Sequence, residues 1–453
     1  MALIELSPEN PAPPAAATPP PAYVYRRAGL LLAALLLLAL GGSAPASPLL
    51  WRRTGVVPLP EAGDFQLFDG RLYTVDYSSV PPRIRARTTD PVRELWSVPG
   101  PPGNQDQPYF ITDASAGLVM IRTGRSTTVL DGRTGEQRWR TPHLVQRLGD
   151  HIGLVQEERF RPGTEYDPES GEPGRLYGST SDILHTEPAR STSLSGVDMT
   201  TGRRLWSAVT PGSVSAQWLG PERGSVAVLS ADRLTVRSAS TGAVVREQAV
   251  PRIGGRGPAW FEPIADVLLI HYGEFGEGGR VAAYAQDTLD LLWQRDEPDS
   301  QGSAVTCAGL PCAKSRTDLA LLDARTGALL WRPAPGDDLI AFGAGSVLEA
   351  RSSSRPLRIA DGRTGRTITD LRFWMTYTSS PRADAYLLTR FEAATRSTVT
   401  GMLRPGSTAV QPLGRIPETT GECRADTAAV ACRAPGGVVV YMAYAPLRRA
   451  PRP

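Results

Sequence analysis

The chain has 453 residues, a formal charge of +3, 41% apolar and 21% charged residues. So even a balance excludes the basic field that would hold a nucleic-acid backbone. With 45 Gly and 41 Pro, composition also speaks against long helices and for many short strands joined by turns.

In chain order, residues 1–27 are rich in Pro and Ala, as in PENPAPPAAATPPPAY. They hold too little apolar surface to offset chain entropy, and read as a disordered cytoplasmic tail. Arg26 and Arg27 then precede an unbroken apolar run, Ala28 to Gly42, which weaker apolar residues extend to Ala46, and no charge follows until Arg52. Residues 28–48 therefore read as one transmembrane helix, a signal-anchor, with residues 49–453 outside the cell membrane. Arg52 and Arg53 beyond the run weaken that orientation. Two alternatives stay open: GGSAPAS as a signal-peptidase site, which makes the segment a cleaved signal peptide, or a buried core helix. No cysteine lies near the run, so anchoring through a lipidated Cys is excluded.

From residue 49 onward a short pattern, D-x-x-T-G-x-x-x-W, recurs. Full copies are Asp131, Thr134, Gly135, Trp139; Asp198, Thr201, Gly202, Trp206; and Asp323, Thr326, Gly327, Trp331. Asp361, Thr364 and Gly365 keep the turn and lose the Trp. Weaker copies in the same phase end at Trp96, Arg246 and Trp293, and one surrounds Ser407. The spacing is roughly 40 residues, except where an insertion at about 157–193 lengthens one interval. Alternating apolar residues flank each copy, which places it on a hairpin: Asp caps the turn, Thr bonds nearby backbone, and Gly takes the positive-φ position. The Trp falls in the last strand, where its ring can pack on the next unit.

Four short strands per unit of this length predict an all-β fold, a β-propeller of about eight four-stranded blades, with seven to nine allowed. The stretch around Trp51 resembles an isolated final strand, and the C-terminus supplies three strands and stops. The N-terminal strand is therefore expected to complete the last blade and close the ring.

The cysteines fall into two near pairs, Cys307 with Cys312 and Cys423 with Cys432. Local disulfides stapling first to second strands fit their common phase in the blades and an oxidising compartment; a shared zinc site is the alternative. His143, His151, His185 and His271 occur singly, without metal-ligand spacing. Trp218, Trp260 and Trp374 lie outside the docking phase and are the aromatic candidates for a ligand.

The repeat resembles the tryptophan-docking repeat of the quinoprotein dehydrogenase propellers and of the related non-enzymatic propeller of the bacterial outer-membrane assembly lipoprotein. The resemblance covers nearly everything after residue 50. The enzymes of that family use adjacent disulfide-bonded cysteines, a calcium and a catalytic Asp; this chain has no adjacent cysteines, and no acidic cluster can be assigned to the metal. The non-enzymatic branch implies a scaffold for protein partners, although its lipid-attachment Cys is missing. The expectation is a monomeric, non-enzymatic, single-pass envelope protein without cofactor that binds a protein or glycan. A quinone-dependent dehydrogenase or other propeller enzyme is the alternative.

Overall fold

A computed structural model describes residues 51–443 apart from 102–108, 116, 150, 171–175, 179–182, 221–222, 273–278, 298–306, 315–318, 344, 352–354, 380–385, 405–406, 418, 420–421 and 427–428. The expected anchor, 28–48, lies outside the described residues. Among the described residues no helix is long and apolar enough to cross a membrane.

The strands form nine sheets, each one blade. Blades 1 to 9 are built from the strands within residues 64–99, 109–141, 145–211, 215–249, 258–297, 312–331, 337–370, 376–417, and 423–443 with the first strand, Trp51–Pro58. That first strand pairs antiparallel with Gly437–Ala443, Val57 opposite Val438 and Trp51 opposite Ala443, so the two ends of the described chain share blade 9. The count of nine corrects the expectation of about eight. Blade 8, whose copy around Ser407 is weak and lacks the Trp, has four strands that pair in order.

Blade 6 departs from the expected four strands. Cys312–Lys314, Leu319–Leu322 and Leu329–Trp331 make a three-stranded sheet, while Cys307–Ala308 pairs in parallel with Asp337–Ala341 of blade 7. The Cys307–Cys312 disulfide therefore ties blade 6 to a strand that hydrogen-bonds to its neighbour, and does not staple two strands of one sheet. Cys423–Cys432 joins the first and second strands of blade 9, where the two residues are register partners.

Each full repeat builds the same turn. The Asp131 carboxylate accepts from the Arg133 and Thr134 backbone N–H groups, and Gly135 N donates to Asp131 O. Asp198, Asp323 and Asp361 do the same, and each also accepts from the hydroxyl of Thr201, Thr326 or Thr364. Burial pushes the Asp131 carboxyl up, but the Arg138 guanidinium and the Thr134 and Arg133 amides outweigh it and hold the group at about 2. In Asp323 and Asp361 the Thr hydroxyl leads in lowering the carboxyl.

A group held below its unfolded value stabilises the fold above that value, about 3.9, and the gain disappears as pH falls toward the folded one. Asp131→Asn is thus expected to cost about 1 kcal/mol at neutral pH. The variant should also lose less stability than the parent between pH 4 and pH 2, which thermal melts at both pH values would show.

The Trp residues occupy a second recurring arrangement. Trp96, Trp139, Trp206, Trp293 and Trp331 each lie against the Gly of the next blade's turn, respectively Gly135, Gly202, Gly242, Gly327 and Gly365. A Cβ on any of these glycines would stand 2.6–2.8 Å from the indole. Each indole N–H donates across the junction, to the carbonyls of Gly132, Met199, Ala239, Ala324 and Gly362, at 2.7–3.0 Å. The glycines have φ between 67° and 77°, so both backbone conformation and space demand the missing side chain.

At three of the four junctions without a Trp, the Gly position of the next blade holds a larger residue. Arg246 holds the Trp position of blade 4, and the facing seat in blade 5 is Leu289, 1% exposed with φ 65°. Gly55 holds that position in blade 9, and Val92 of blade 1 fills the space its Cβ would take. Thr369 holds it in blade 7, facing Val410, and its hydroxyl donates to Ser407 O at 3.4 Å as the indoles do to their carbonyls. Gly414 holds the Trp position of blade 8, and nothing lies within 4 Å of where its Cβ would stand.

Candidate functional site: the loop face

Antiparallel pairing within the blades fixes two faces. With the strands of a blade lettered A to D from first to last, the A–B loops and D-x-x-T-G turns lie at one end of each sheet and hydrogen-bond to each other, as Gly132 N to Gly117 O and Gly362 N to Gly345 O. The B–C loops and the connections between blades lie at the opposite end, here called the loop face.

Exposed large apolar residues are distributed unevenly between these ends. Val56, Leu95, Leu205, Val209, Val244, Val245, Leu291 and Leu329 lie along the outermost strands. Val80, Ile183, Leu184, Trp260, Phe373 and Met375 lie on or beside the loop face. Among the described residues the turns themselves carry none of them, although Val244, Leu291 and Leu329 begin their strands directly after a turn.

On the loop face the B–C connection of blade 3 leaves at Arg159 and returns at Ser191. It folds back on itself: His185 exchanges backbone hydrogen bonds with Tyr177, and Tyr166 N donates to Leu184 O. The His185 ring is buried, stacked on Phe160 at 3.7 Å and 3.0 Å from the Thr164 hydroxyl through Nδ1. This knot walls a cavity of about 430 Å³ that Leu144, Phe160, Ile183, Glu157, Glu158 and Glu165 line together with His143, His185 and Arg125. A second cavity of about 530 Å³ shares His143 and Glu157 and continues between blades 2 and 3 along Ser193, Ser195 and Arg204.

His143 and His185, which sequence spacing left isolated, thus come into one cavity; His143 Nε2 lies 4.0 Å from Glu157. No spacing rule finds such a pair, because a strand, the knot and a connection between blades bring them together. His151 stays exposed on the turn face. His271 stacks on Trp260 at 3.8 Å and faces Glu262 at 3.5 Å. Of the three out-of-phase tryptophans only Trp260 is exposed; Trp374 is in the core between blades 7 and 8, and Trp218 packs against the core between blades 3 and 4.

A second polar cluster is buried in blade 7. Burial raises the Glu349 carboxyl, the Arg358 guanidinium opposes this, and neighbouring Asp337 raises it further. Arg351 pairs with Asp337 at 3.1 Å and Arg358 with Glu349 at 2.7 Å. Both carboxylates are almost fully closed off from solvent, which suits a buried structural pair. Among the described residues no group of three or more His, Cys, Asp or Glu side chains is placed to hold a metal ion.

No curated protein matches the chain. Among solved structures, BamB from Moraxella catarrhalis is similar at 14% identity and a TM-score of 0.38, over 87% of this chain and 98% of that one. A eukaryotic initiation factor is similar at 12% identity and 0.46, over 80% and 93%, and a europium-containing methanol dehydrogenase at 10% and 0.36, over 84% of each. At these scores none of the three bears on what this chain does. Residues 190–338 match the family model described as outer membrane protein assembly factor BamB. Over that stretch the chain is similar to the PQQ-like repeat of that family, and the same turn recurs in the blades on both sides of it, within a nine-bladed β-propeller.

Proposed function

We propose that the chain is a non-enzymatic, membrane-anchored binding module of the bacterial envelope that engages a protein partner through its loop face. The observation that carries this reading is the unequal exposure of apolar side chains: the loop face displays Val80, Ile183, Leu184, Trp260, Phe373 and Met375, and the opposite face displays polar turns. Apolar side chains exposed on the loop face are the candidates for contact with another molecule. The family description, an assembly factor, supports a scaffold. The apolar run before Arg52 supports the anchor and the extracytoplasmic placement.

The test places a photo-crosslinking residue at Ile183, at Phe373, or at Arg363 on the turn face, in cells, and recovers the full-length chain from the membrane fraction. Adducts of one defined mass are expected from the first two positions and not from the third. Equal labelling on both faces, or recovery in the soluble fraction, would defeat the reading. Addition of pyrroloquinoline quinone and calcium to the same preparation is expected to leave the spectrum of the free quinone; a bound chromophore would favour the dehydrogenase alternative.

A further inference from the structure

From the blade 3 cavity we infer the chemistry of that partner: an extended protein segment that presents an Arg or Lys side chain next to an aliphatic one. The inference rests on the loop-face reading and adds to it a location and a charge. The cavity, at about 430 Å³, falls within the range of ordinary ligand pockets. Its apolar wall is Leu144, Phe160 and Ile183, with Leu184 exposed beside it. Its polar wall is Glu157, Glu158 and Glu165, opposed by the guanidinium of Arg125 and by the two imidazoles. The charge is local: residues 160–190 contain six Asp and Glu against three Arg, in a chain whose total is +3.

An acidic rim on an apolar floor complements a side chain whose stem is hydrocarbon and whose tip is cationic, because Lys and Arg bury the stem while the head stays at the polar edge. Such complementarity selects the partner and speeds the encounter more than it adds raw affinity. His185 is the internal brace of the site: stacked on Phe160 and bonded to Thr164, it holds the knot in the shape that forms the wall.

The test measures fluorescence anisotropy of two labelled peptides, Gly-Val-Arg-Val-Arg-Val-Gly and Gly-Val-Glu-Val-Glu-Val-Gly, on the full chain in a non-ionic detergent. The Arg peptide is expected to bind saturably and about tenfold more tightly than the Glu peptide, with the difference shrinking at high salt. Glu157→Gln, Glu158→Gln and Glu165→Gln combined should lose that tenfold preference without a change in Tm. Phe373→Ala with Met375→Ala, on the far side of the ring, should keep it. Absence of saturable Arg-peptide binding, or equal binding of the two peptides, overturns the inference. So does displacement of the Arg peptide by millimolar calcium or zinc, which would make this a cation site. If the peptide fails while crosslinks from Ile183 and Phe373 persist, only the partner chemistry falls; if both fail, the loop-face reading falls with it.

Discussion

Gly242→Leu is expected to lower the melting temperature by about 3–6 °C, and Trp206→Arg by a similar amount, yet the two together should cost clearly less than their sum. The single glycine change puts a branched side chain at φ 69°, where its Cβ would lie 2.6 Å from the Trp206 ring. Backbone strain and overlap each contribute about 1–3 kcal/mol. The single tryptophan change removes a buried ring and leaves the Ala239 carbonyl without its indole donor, about 3–5 kcal/mol in all. The pair reproduces the Arg246 and Leu289 arrangement that the chain already uses one junction further on. A double-mutant cycle read by thermal melting checks this; strictly additive losses would mean that wedge and seat do not compensate each other.

Val57→Asp is expected to open the ring. Val57 is 1% exposed in the strand that closes blade 9, packed among Phe65, Leu72, Val438 and Val440. A carboxylate there has no partner, and an uncompensated buried charge costs about 3–5 kcal/mol. The neighbouring Val56 points outward, so Val56→Asp should stay within about 0.5 kcal/mol of the parent. Hydrogen exchange separates the two: the Gly437–Ala443 amides should exchange much faster in the first variant and remain protected in the second.

Most of the fold was legible because the repeat combines two local demands, a turn and a wedge, in nine residues. Asp131, Asp198, Asp323 and Asp361 mark turns wherever they occur, and the Trp phase marks the last strand of a blade. Blade 8 was hard to read because Thr369 holds the Trp position of blade 7 and Val410 the Gly position of blade 8, and no search for Gly and Trp detects them. The irregular blade 6 was illegible for a different reason. Which sheet captures a two-residue strand such as Cys307–Ala308 depends on its spatial neighbours, and the alternation of its own sequence is too short to decide.

The candidate site was legible only in outline. The insertion in blade 3 stood out as an interruption of a regular period, but the partners of His143 and Glu157 come from both sides of it. Long connections acquire their shape from knots such as the one around His185, and those have no periodicity to read.

The pairing of Trp51–Pro58 with Gly437–Ala443 imposes an order in time. The first strand to be synthesised is the last to be placed, because its partner follows nearly the whole ring. At typical rates of synthesis, about 5–20 residues per second, it waits roughly 20–80 s with both edges open. Arg52, Arg53, Gly55 and Pro58 make it a poor template for a neighbouring chain during that interval, and so the segment that completes the molecule also resists being captured before its turn.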